Sequence, residues 1–179
     1  MIINKTIKML SAATVCCALL YTIASAQDKV QLSDAEVAAV AVAANQIDID
    51  YAAIAKQKSK NAEVIKFAET MQRDHKAVIA QAAALVKKLG VTPMDNALSK
   101  KLLADAAKTM KTLRATSAKS FDKAYVDNEV AYHKAVIAAV EGLLIPETEN
   151  AELKALLTGV VPALQAHLHH AEMLQKQIK

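Results

Sequence analysis

The chain has 179 residues, with 22 Lys and Arg against 18 Asp and Glu, a formal charge of +4 and a pI near 9.0. That length allows one domain, and scarce Gly and Pro with abundant alanine mark an all-α composition. There is no Lys/Arg cluster with interleaved aromatics, which argues against a nucleic-acid partner.

The first 26 residues read as a secretory signal peptide. Lys5 and Lys8 form a basic start, Met9 to Ile23 is an apolar run, and Ala24-Ser25-Ala26 is a small-x-small cleavage site. The run, about 15 residues, is short of the roughly 20 needed to span a bilayer, so no stable membrane insertion is expected after cleavage. Cleavage removes two basic residues and leaves 20 against 18 acids, a net charge of +2. It also removes Cys16 and Cys17, the only cysteines. The expected product is an exported periplasmic or envelope domain, residues 27–179, that cannot form a disulfide and depends on its core.

Ser33 with Glu36 three residues on is a capping box that opens the first helix. Val37, Ala41, Ala44, Tyr51 and Ala55 make one apolar line, and Val40, Ile47 and Ile54 a parallel one. Asp48 falls on the first line, whereas Asp50 is expected at solvent or the bundle's edge. Ser59-Lys60-Asn61 is a turn, and Asn61 caps a second helix that carries Glu63 in its first turn. That helix runs to Leu89, where Gly90 and Pro93 stop it. Its seam is Val64, Ala68, Met71, Val78, Ala82, Leu85 and Leu89, with His75 between Met71 and Val78.

In residues 94–117, Leu98, Leu102, Ala106, Met110 and Leu113 keep helical spacing among many lysines. A surface helix crossing from one end of the bundle to the other is expected here. Ser117 or Ser120 caps the next helix, whose stripe is Val126, Val130, Ile137, Val140 and Leu144, ending at Pro146. His133 occupies a seam position, with Glu129 one turn earlier. Residues Thr148 to Leu153 resemble Ser59 to Val64, which suggests two related helical hairpins. The last seam is Leu153, Leu157, Val160, Leu164, Ala171, Leu174 and Ile178, completed by His167. Pro162 is expected to bend this helix one turn before His167. His170 lies on the flank of the seam, and His169 is expected to be exposed.

The fold class expected is an antiparallel four-helix bundle with a long, partly helical crossover between its second and third main helices. Each main helix carries one polar residue on its apolar seam: Asp48, His75, His133 and His167. At about 1.5 Å per residue they fall within roughly one turn of a common height. Three imidazoles and a carboxylate suit zinc, copper or iron. His170, Glu129, Asp74 and Met71 form a second tier. Met71 is either a soft ligand for copper or core filler. Glu129 and Asp74 are either solvated or acceptors for ring nitrogens. Affinity for a bound metal should fall as pH drops below about 6.5, because imidazole must be neutral to ligate. The alternative is a metal-free buried network in an envelope interaction protein, with the lysine-rich stretch 100–119 as its contact face. No Glu lies three residues before a His, so a dinuclear oxidase is not indicated. No nucleophile–base pair or Gly-rich phosphate loop marks an enzyme.

Residues 62–68, Ala-Glu-Val-Ile-Lys-Phe-Ala, with Met71 and Asp74-His75, then Phe121-Asp122-Lys123-Ala124-Tyr125 leading to His133, then Leu164 and His167, resemble a bacterial family of exported proteins, domain of unknown function 4142, placed among ferritin-like bundles. The resemblance covers about residues 33–175. It implies a ferritin-like fold and an envelope location, and no established activity. The family pattern has two glutamates where this chain has Asp48 and Asp50, and the shorter side chains reach less far.

Overall fold

A computed structural model describes residues 31–178, so the expected leader and its cleavage site lie outside the described residues. Among the described residues there are five long helices and no strand. They are α1 (Asp34–Lys58), α2 (Ala62–Leu89), α3 (Ala97–Ala115), α4 (Ala118–Ala139) and, after a short helical turn α5 (Ile145–Glu147), α6 (Ala151–Gln177).

Local chemistry sets the boundaries. Ser33 and Glu36 form the capping box of α1. The side chains of Asn61 and Asn150 cap α2 and α6, so the two similar turns in the sequence are capped alike. Gly90 ends α2 in the left-handed region, φ 65°, where a side chain is disfavoured. Ser117 is the residue before α4 but makes no capping bond to its backbone. Replacing Asn150 with alanine removes the acceptor for the Glu152 and Leu153 amides. Its expected cost is about 1 kcal/mol, read as a lower urea midpoint at unchanged slope.

Pro146 does not simply end α4. The helix first widens into a π-turn, Val140–Leu144, and Pro146 sits in the helical turn after it. The proline ring crowds the carbonyl one turn back and offers it no donor, and a wider turn relieves both. In α6 the helix continues through Pro162 without a break.

Contacts at the helix ends fix the connectivity. The Met94 amide donates to the Ala35 carbonyl, and the Glu149 amide to Asp34 Oδ1, so α3 and α6 both start beside the start of α1. At the other end Lys58 Nζ donates to the carbonyls of Arg114 and Thr116. Thus α2 and α4 run against α1, while α3 and α6 run with it. α1 packs on α2 and α4, and α6 on the same two, so neighbours round the bundle are antiparallel. α3 is the crossover and lies along the outer face of α1, to which it gives Ala106 and Leu113. Covered on that side too, α1 is buried almost all round. It is the one described helix long and apolar enough to cross a membrane, yet its residues form the bundle's core.

The two halves of the bundle are packed differently. Toward the α1–α2 turn, Phe67, Met71, Phe121, Tyr125 and Val126 are fully buried in one cluster with Ile47, Val64 and Ala171. Toward the other end, seam residues Val78, Leu85, Ile137 and Val160 are only half-buried, although helical spacing places them inward.

Candidate metal centre

Asp48, His75, His133 and His167 stand where the two halves meet, all buried. Each is brought there by the seam of its own helix, and mid-height on antiparallel neighbours is one common level. The imidazole rings form a triangle. Their centroids are 5.9 Å apart for His75 and His133, 5.4 Å for His75 and His167, and 5.6 Å for His133 and His167. One ring nitrogen of each lies within 4.8 Å of one of the others. A tetrahedral ion with bonds near 2.1 Å holds its ligands about 3.4 Å apart. The side chains need close in by no more than about 1.4 Å to reach that spacing.

Each ring is held by one nitrogen, and the acceptor it meets assigns its tautomer. His75 Nδ1 is 2.7 Å from Asn45 Oδ1. The Asn45 amide donates in turn to the Ala41 carbonyl, which leaves its oxygen as the acceptor for His75. His133 Nδ1 donates to the Glu129 carbonyl at 3.0 Å. His167 Nε2 donates to Asp74 Oδ2 at 3.0 Å, and Asp74 is itself held by Arg73. The remaining nitrogens, His75 Nε2, His133 Nε2 and His167 Nδ1, are buried and have no hydrogen-bond partner among the protein's atoms. By the tautomers just assigned, each presents a lone pair.

Asp48 Oδ2 lies 3.3 Å from His75 Nε2 and 3.5 Å from His133 Nε2. Neither Asp48 oxygen has a protein donor. Glu129 is fully buried with both carboxylate oxygens unpartnered, and Oε2 is 3.6 Å from His133 Nδ1. Glu129, Asp48 and His133 thus form a second close group that shares His133 with the histidine triangle. The Tyr125 hydroxyl is also buried and unpartnered.

Electrostatics follow from burial. Loss of water pushes the Asp48 carboxyl up to about 8 and raises Glu129 well above the usual carboxylate range, where the Asp48 charge adds to the effect. Burial takes His75 down to about 3 and His133 to about 4. His75 and His133 therefore stay neutral well below pH 6.5, and the protons they do not carry sit on the carboxylates. This moves the pH limit expected from histidine alone. In the unfolded chain carboxyls titrate near 4 and imidazoles near 6.5. Above pH 6.5 His75 and His133 are mostly neutral in both states, while the folded Asp48 and Glu129 carboxyls keep protons that the unfolded chain has lost. Stability of the metal-free protein is thus expected to fall as pH rises from about 6.5 to 8, by up to about 1.4 kcal/mol per unit for each retained proton. Denaturant midpoints across that range check the sign, and a rising midpoint would contradict it.

The second-tier residues divide. Asp74 is the acceptor that orients His167. Glu129 is not solvated but part of the centre. Met71 is fully buried in the hydrophobic cluster of the tight half. His170 is half-buried and meets Phe67 edge-on, 5.1 Å between centroids, outside the histidine triangle. Asn45 was missed by the sequence reading, although it lies one turn before Asp48 on the same face.

The fold and the centre define an all-helical bundle with three imidazoles and two carboxylates converging at mid-height. The chain belongs to the family described as a domain of unknown function, DUF4142, whose model matches residues 21–174. Comparisons with curated proteins and with solved structures gave no match.

Proposed function

We propose that the protein is an exported bundle of ferritin-like arrangement that binds one transition-metal ion, zinc, copper or iron, at mid-height, for metal buffering or stress protection. The ligands are His75 Nε2, His133 Nε2, His167 Nδ1 and Asp48. The observation that carries the reading is the set of three inward ring nitrogens, each without a protein partner while the opposite nitrogen of its ring is anchored. Fixing the far nitrogen to an oxygen is how proteins aim imidazoles at metals. A carboxylate oxygen 3.3 Å from a nitrogen lone pair also needs a proton or a cation nearby. The connectivity, with a crossover between two antiparallel hairpins, supports the ferritin-like arrangement. The apolar run Met9–Ile23 is compatible with a leader and supports export.

Elemental analysis of protein purified without chelator tests the reading, followed by titration of stripped protein with Zn2+. About one ion per chain is expected, with affinity falling as pH drops below about 8, since the ion displaces protons from the carboxyls. Stoichiometry near zero under both conditions would sink it. The second reading is a metal-free network. It is favoured by the raised carboxyl of Asp48, which when protonated donates to His75 or His133. In that reading the exposed lysines of 100–119, Lys100, Lys101, Lys108, Lys111 and Lys119, meet an envelope partner.

A further inference from the structure

Below the histidine triangle the bundle holds a cavity of about 370 Å3. It reaches from Asp48 and His75 down to Val140 and Leu153, through the half where seam residues stay half-buried. Its walls there are aliphatic, among them Val40, Val78, Val136, Leu157 and Val160. Such walls give water no partners, and protein interiors of this kind are normally close-packed. The polar atoms gather at the upper end, where the unpartnered nitrogens and Asp48 lie. Ala131 and Ala135 of α4 line the cavity and are also exposed, so small side chains flank a way in. Aliphatic walls with a few convergent polar groups at one end, and a volume within the roughly 300–1,000 Å3 usual for such sites, mark a ligand pocket.

We propose that this cavity receives the hydrocarbon tail of an amphiphile whose single anionic oxygen head adds a fifth ligand to the metal. The proposal rests on the metal reading above. The tail follows from the walls, and the length from the volume. At about the 30 Å3 share of one liquid water for each heavy atom, the cavity takes roughly a dozen atoms. The head follows from the position of the ligand atoms at the cavity's end. A carboxylate there is a hard oxygen donor to a cation and has no cationic side chain to prefer instead, since Arg73 turns to Asp74.

The test uses the full mature chain, Co2+ as a visible metal probe, the small neutral fluorophore naphthalene, which the cavity can hold, and decanoate against acetate. The fluorophore is expected to bind with and without Co2+. Decanoate should displace it and change the Co2+ spectrum, binding at least tenfold more tightly to loaded than to stripped protein, while acetate at equal concentration does neither. Val136→Phe fills the cavity one turn below His133. It should lose fluorophore and decanoate and keep the Co2+ spectrum, and Val160→Phe serves where the first variant does not fold. A Co2+ spectrum with no binding of fluorophore or decanoate leaves the metal reading standing and overturns this proposal. Fluorophore binding with no Co2+ spectrum fails the metal reading and removes the head-group assignment with it. Equal decanoate affinity with and without Co2+ also overturns the proposal, because the head then does not meet the ion.

Discussion

Replacing His75 with alanine is expected to weaken metal binding by more than about 100-fold and to abolish the rise in melting temperature that metal gives the wild type. Losing an orienting partner alone typically costs 10–100-fold in affinity, and losing a ligand costs more. At a free metal concentration 100 times the dissociation constant, wild-type protein gains about 2.7 kcal/mol. For a domain of this size that is a rise of roughly 5–10 °C. The variant should show none of it. Without metal the two proteins should differ less, because alanine removes a buried imidazole together with its need for a partner but leaves Asn45 Oδ1 without its donor. Scanning calorimetry with and without Zn2+ separates the cases. An equal metal-dependent shift in both proteins would remove His75 from the ligand set.

The tight half of the bundle predicts a different kind of loss. Phe67→Ala should destabilise the protein by about 3–5 kcal/mol, whereas Val136→Ala should cost about 1 kcal/mol or less. Phe67 is fully buried and meets Tyr125 and His170 edge-on, with centroids 6.2 and 5.1 Å away. Its removal leaves a void among neighbours that are themselves locked by packing. Val136 borders a cavity already present, so shortening it forfeits few contacts. Urea unfolding of both variants reads the contrast. Similar losses at the two positions would mean that the lower half is packed as closely as the upper.

The helices and their caps were legible because short-range chemistry sets them. The capping box at Ser33, the asparagine caps at 61 and 150, and the stop at Gly90 each act within a few residues. The shared level of Asp48, His75, His133 and His167 was legible too, because a fixed rise per residue turns distance from a turn into height. Periodicity says which face points inward but not how near the opposite helix comes. Nothing in the sequence pattern therefore separated Val64, fully buried, from Val78, half-buried on the same seam. Glu129 was ambiguous for a related reason. Its burial depends on what α1 places opposite it, a contact between residues far apart in the chain. The π-turn before Pro146 was not expected, since a proline after a helix reads as a stop, and whether the turn before it widens depends on packing at that end.

The pair of buried carboxylates bears on which oxidation states an ion could hold in the centre. When Asp48 is ionised together with either Glu129 or a bound carboxylate head, two negative charges are present, the three imidazoles are neutral, and Asp74 is already matched by Arg73. An interior of low polarity tolerates little net charge. Such a centre is electrically balanced with a divalent ion, one charge short with a monovalent ion and one in excess with a trivalent ion. Copper bound there would be displaced toward the cupric state and iron toward the ferrous one. A bundle that favours the divalent state of each metal would resist the one-electron steps by which loosely held copper and iron react with peroxide.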